Sequence, residues 1–217
     1  MRIPMLFFLL QALAAASDLP PELLTVEGEA RLAGMLARRV LLVTATERPL
    51  PLEDETIRRK RYGQAVVRGE DAKIVTSLRL TTDVDDIVVE SLSGQSAKAT
   101  VVNLDKDGGL AVLAALVQVE PSLPAPKEAC LKGATLFFLA PGPGGLRLGR
   151  VEMGPDPGPP IEHLALVSGR LPLGAPLFDA SGRLAALALW AVPGRDLTMI
   201  APMCKQEDGK DAGKVTP

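Results

Sequence analysis

Residues 170–184, RLPLGAPLFDASGRL, raise the question whether this turn has lost a reactive side chain or never held one. Gly174, Ala175 and Pro176 make a small-residue turn ahead of an apolar pair, Leu177-Phe178, and turns of this kind often expose one residue for chemistry. The apex here is Leu173, which has no polar atom. Asp179 to Gly182 is a hairpin signal, where Gly supplies positive φ and Asp bonds its own backbone. The single His of the chain, His163, follows the Pro-rich loop GPDPGPP. An imidazole can take a proton from a hydroxyl nucleophile. Ser168, Asp156 and Glu162 lie near His163 in sequence, but proximity alone marks no triad, and a strand-edge histidine is the plainer reading. No Ser–Lys pair stands out. The glycines of 141–145 do not form a phosphate cradle, because no Lys-Ser/Thr follows them. Two Cys and one His cannot supply four zinc ligands, so neither a metal nor a cofactor is expected.

The elements that would position such residues are mostly strands. EARLAGMLARR over 29–39 places Leu32, Met35 and Leu36 at helical spacing and predicts one short amphipathic helix. VLLVTAT over 40–46 is a β-branched run and predicts a strand. A polar loop follows, with Glu53, Asp54 and Glu55, ending in the basic run Arg58-Arg59-Lys60-Arg61, read as a solvated loop flank. Further strands are expected over 62–68, 73–78, 86–92, 97–104 and 110–116, separated by polar turns. A Pro-rich linker, 119–129, precedes a second set over 135–140, 146–153, 163–168, 183–192 and 198–203. Strands at this spacing predict an all-β barrel or sandwich in two halves.

Composition narrows the function classes. Hydrophobic residues make up 47% of the 217 and aromatic residues 3%, so the chain can bury a core and that core is chiefly aliphatic. A net charge of −2 argues against a nucleic-acid binder. Met1-Arg2, an apolar stretch over 3–10 and two A-x-A sites over 12–16 predict a secretory signal peptide, 1–16, too short to span a membrane. No other apolar run is long enough to cross one, so the chain is expected to be exported to the periplasm or beyond. In an oxidising compartment the even count favours a Cys130–Cys204 disulfide; two separate buried thiols are the alternative.

The order of segments resembles the HtrA/Deg-type trypsin-like serine proteases. YGQAVVRGEDAKIVTS is similar to the paired strands that open that core, and LSGQSAKATVVNLDKDGGLAVLAAL to its segment ending D-L-A-V-L. LKGATLFFLAPGPGG resembles its G-n-P-G strand and loop, PLGAPLFDASGRLAAL its G-N-S-G-G-P-L turn, and DLTMIAPM its closing strand. The likeness spans roughly 38–203. It implies an all-β fold of two antiparallel six-stranded β-barrels with a short N-terminal helix. The division expected is a leader and helix over 17–38, a first barrel over 39–118, the linker over 119–129, a second barrel over 130–204 and a disordered tail over 205–217. No PDZ-type module is expected to follow.

Carried across residue by residue, the resemblance removes the chemistry. The family's His matches Arg79, which is permanently protonated and cannot act as a general base. Its Asp matches Gly109 and its Ser matches Leu173. The oxyanion donors would be the N–H groups of Leu171 and Leu173, with Pro172 fixing φ between them. The expectation is therefore a non-enzyme, an exported pseudoprotease acting as a protein-binding, scaffold or regulatory subunit. Its binding cleft would be lined by Arg79, Leu171 and Leu173. Two other readings stay open: a secreted hydrolase with a non-standard catalytic constellation, and a structural subunit with its contacts outside the cleft.

Overall fold

The computed structural model describes residues 25–50, 58–69, 73–142, 145–154 and 163–204. The expected signal peptide, the start of the leader, the acidic residues 53–55, Asp156, Glu162 and the expected tail lie outside the described residues.

The helix, α1 (Val26–Ala37), begins three residues before its apolar pattern does. Thr25 explains the early start: its Oγ1 accepts a hydrogen bond from the Gly28 N–H at 3.0 Å, and Glu27 and Glu29 complement the positive end of the first turn. Leu32 and Leu36 are buried in a cluster with Phe137, Leu139 and Met203.

Strands β1 (Val40–Glu47), β2 (Lys60–Arg68), β3 (Lys73–Ser77), β4 (Val84–Ser91), β5 (Ser96–Lys98), β6 (Thr100–Asp105) and β7 (Leu110–Ala114) form one antiparallel sheet, in the order β5-β4-β1-β2-β3-β7-β6. Its two end strands are neighbours in sequence, separated only by Ala99. The Ala99 N–H donates to the Ile87 carbonyl at 2.8 Å. One bent segment thus pairs first with β4 and then with β7, closing the sheet on itself. Seven strands replace the six expected because that segment, read as one strand over 97–104, breaks at this corner.

The second sheet holds β8 (Thr135–Gly142), β9 (Gly145–Glu152), β10 (Ala165–Ser168), β11 (Pro176–Phe178), β12 (Leu184–Ala191) and β13 (Leu197–Pro202), in the order β10-β13-β12-β11-β8-β9. Its edges meet where Met153 bridges Val167 and the Gly154 N–H donates to the Leu166 carbonyl at 2.6 Å. Closure leaves few unpaired strand edges.

The fold is thus two curled antiparallel sheets with one helix, and β12 is its central wall. Ala185, Ala186 and Ala188 belong to the buried cluster of the second barrel with Leu136, Val151 and Ile200, while Leu184, Leu187 and Leu189 belong to the cluster between the barrels. Small residues suit the narrow interior and large ones the seam. Val40, Val66 and Val75 meet Phe137 and Phe178 in that seam, so apolar burial holds the two sheets together. The Pro-rich connector is pinned to both: Ser122 donates to the Val67 carbonyl at 2.7 Å, and Ala125 to that of Leu184 at 2.7 Å. Cys130 and Cys204 are joined in a disulfide, with Cα atoms 6.1 Å apart, tying the entry of the second barrel to its exit.

Candidate functional site

Three short segments converge on the far end of β12. The first is the 3-10 turn Leu78–Leu80 after β3. Ser77 starts it: its Oγ accepts from the Arg79 N–H at 3.3 Å and donates to the Leu189 carbonyl at 2.9 Å. The Leu78 N–H reaches the Gly109 carbonyl at 2.8 Å. On its outer side Arg61 clamps the turn, with Nη1 donating at 2.8 Å to the carbonyls of both Arg79 and Thr82. Glu47 holds Arg61 through its Nε at 2.6 Å. The basic run is therefore more than a solvated flank: Lys60 and Arg61 open β2, and Arg61 fixes the turn that carries Arg79.

Arg79 itself is exposed, and its guanidinium carbon lies 5.1 Å from the centroid of the Trp190 ring. This is cation–π distance. The second segment, the turn before β7, brings Gly109 against the same residue. A β-carbon on Gly109 would come within 3.2 Å of Leu189 Cδ1 and 3.3 Å of Trp190 Cζ3, and its φ is +67°. A larger side chain there would press on Leu189 and Trp190 and would have to adopt a left-handed backbone conformation.

The third segment carries Leu173. Its carbonyl accepts from the Gln64 N–H at 2.8 Å, and its half-buried side chain packs on the first-barrel cluster that includes Leu80. Gly174 then donates to the Ala188 carbonyl at 2.8 Å. Only glycine fits at 174, where φ is +70° and a β-carbon would strike the Gln64 carbonyl and Thr76 Oγ1. The turn is thus wedged between the barrels. The hairpin beyond it has the form read from sequence, with Asp179 Oδ1 accepting from the N–H groups of Ser181 and Arg183 at 2.8 Å each and φ at Gly182 of +73°.

The N–H of Leu171 is already engaged. It donates to Thr198 Oγ1 at 3.1 Å, and that hydroxyl donates onward to the Gly169 carbonyl at 2.8 Å. Thr198 is fully buried on β13.

His163 stands apart from any nucleophile. Its Nε2 is 2.8 Å from the Asp107 carbonyl, so it ties the second barrel to the turn before Gly109. Among the described residues no Ser, Thr or Cys side chain hydrogen-bonds to it, and no cluster of His, Cys, Asp and Glu is suited to a metal. Three residues of the site carried no catalytic signal in sequence: Trp190, Arg61 and Thr198. Only Trp190 was conspicuous, as the single Trp of the chain.

No protein-family model matches the chain, and no curated protein matches it. Solved structures do. The architecture is that of the trypsin-like double barrel. Within that class it is similar to the HtrA-type proteases. The Rv3671c protease from M. tuberculosis in its active form aligns with a TM-score of 0.65 at 18% identity, over 86% of this chain and 83% of that one. The HtrA-type protease AlgW with a decapeptide aligns with a TM-score of 0.63 at 16% identity, over 80% of this chain. This chain spans 63% of the length of that AlgW chain. At these identities the likeness defines the fold.

Proposed function

We propose that this chain is an exported, catalytically inactive homologue of the trypsin-like serine proteases that works by binding protein. The observation that carries the reading is what occupies the three matched positions. Acyl transfer needs a hydroxyl, a base to take its proton and a carboxylate to orient the base. Here Leu173, Arg79 and Gly109 stand in those places, and none can serve. A developing oxyanion would also need free backbone donors, whereas the Leu171 N–H is spent on Thr198. The disulfide is compatible with an oxidising compartment and hence with export.

With chemistry removed, binding is left as the role of the surface around these residues. Leu173 is half-buried on the first-barrel cluster, and the exposed Arg79 lies over the Trp190 ring. Large rigid aromatic and arginine side chains are the residues that most often anchor protein contacts. Recovery of the native partner by the mature chain and its variants tests the binding role. Arg79→Ala and Leu173→Asp should each reduce recovery, with the melting temperature of the Arg79 variant nearly unchanged. If both recover the partner as the parent does, the cleft is not the binding surface.

A further inference from the structure

Arg79 is held in place, yet among the described residues its guanidinium has no carboxylate partner. Its carbonyl is clamped by Arg61 and its N–H by Ser77, so the backbone under the side chain is fixed on both sides. Its guanidinium carbon lies over the Trp190 ring, within cation–π reach. No carboxylate among the described residues reaches it within ion-pair distance, although Arg38, Arg39, Arg48, Arg58, Arg61 and Arg150 all have one. Arg61, which clamps the same turn, uses Nη1 on two carbonyls and Nε on Glu47.

We infer that Arg79 on Trp190 is a docking site for one peptide carboxylate, a Glu or Asp side chain or a free C-terminus, carried by the bound protein. The inference rests on the binding role proposed above and names what that cleft would recognise. A guanidinium offers two parallel N–H donors that match a carboxylate, and such charge-assisted pairs are shorter and stronger than neutral ones. The side-chain entropy a free arginine would lose on binding is reduced here, because the ring and the clamp already restrict it. A lone arginine suits a monoanion; phosphorylated motifs are typically read by several arginines together. The apolar ring of Trp190 beside the cation suits a carboxylate flanked by aliphatic residues.

Trp190 is the only Trp in the chain, so its fluorescence reports on this site alone. The test titrates the mature protein with blocked pentapeptides of sequence Ala-Val-Xaa-Leu-Ala, where Xaa is Glu or Gln, and with the Gln peptide bearing a free or an amidated C-terminus. The expected result is a saturable change with the carboxylate-bearing peptides and at least tenfold weaker binding of the fully neutral one. Added salt should weaken the former. In Arg79→Gln, which alters an exposed side chain and should melt as the parent does, the preference for carboxylate should vanish. Equal binding of Glu and Gln peptides, a preference that survives Arg79→Gln, or no saturable change with any peptide would each overturn the inference. All three outcomes leave the catalytic reading standing, because that reading stands or falls on covalent labelling and turnover.

Discussion

Replacing Thr198 by Val tests whether the Leu171 N–H is as firmly engaged as its geometry indicates. The two side chains have nearly the same shape, so the change removes one hydroxyl and creates no cavity. That hydroxyl accepts from Leu171 at 3.1 Å and donates to Gly169 at 2.8 Å. Each bond contributes about 1 kcal/mol net, and a buried donor left without a partner costs about 1–3 kcal/mol. The Gly169 carbonyl belongs to a half-exposed residue and can turn to water, whereas Leu171 is buried. The expected loss is therefore about 2–3 kcal/mol, which for a chain of this size lowers the melting temperature by roughly 4–12 °C. Thr198→Ser keeps the hydroxyl and loses one buried methyl, at a cost of about 1 kcal/mol. Denaturant midpoints and thermal melts of the three oxidised proteins give the ranking, and amide exchange at Leu171 should accelerate in the Val variant alone. A Val variant as stable as the parent, or less affected than the Ser variant, would refute the argument that this hydroxyl occupies the amide.

Three further outcomes follow from the same contacts. Peptide mapping without reductant should recover a linked Cys130–Cys204 pair, and its double Ser variant should lose about 4 kcal/mol in the chain-entropy account for residues 74 apart. Gly174→Ala should cost more than about 3 kcal/mol in denaturant titration, whereas Gly194→Ala, at the same φ of +70° but with open space around it, should cost about 1 kcal/mol. Leu173→Ser should restore no peptide hydrolysis, and adding Arg79→His with Gly109→Asp should fail as well, because an Asp at 109 would be strained at φ +67° and pressed by Leu189 and Trp190, and the Leu171 N–H stays engaged by Thr198.

The fold was legible in sequence wherever a segment carries its own periodicity. The β-branched run of β1 and the apolar run of β12 announce strands, and Leu32 and Leu36 announce the buried face of α1. What the pattern missed depends on single polar contacts or on tertiary pairing. The helix starts at Val26 because one hydroxyl, that of Thr25, caps it. Strand β11 is three residues long and exists only because β8 and β12 flank it. The corner at Ala99 splits one expected strand because closing a small barrel bends it there. At the site, segment order singles out Arg79, Gly109 and Leu173 only as expectations drawn from the resemblance. Trp190, which neighbours Arg79 and Gly109, and the Glu47–Arg61 clamp were not legible there, since both come from elements distant in sequence.

Absence of catalysis is the central claim, and covalent labelling addresses it most directly. The mature, oxidised protein would be incubated with a fluorophosphonate that tags activated serines, then digested and mapped by mass spectrometry, alongside a peptide-hydrolysis panel. The account predicts no tagged serine and no turnover above the buffer rate, with an active trypsin-like protease labelled in parallel. Stoichiometric tagging of any serine, Ser168 included, with matching hydrolysis that the tag abolishes, would contradict it.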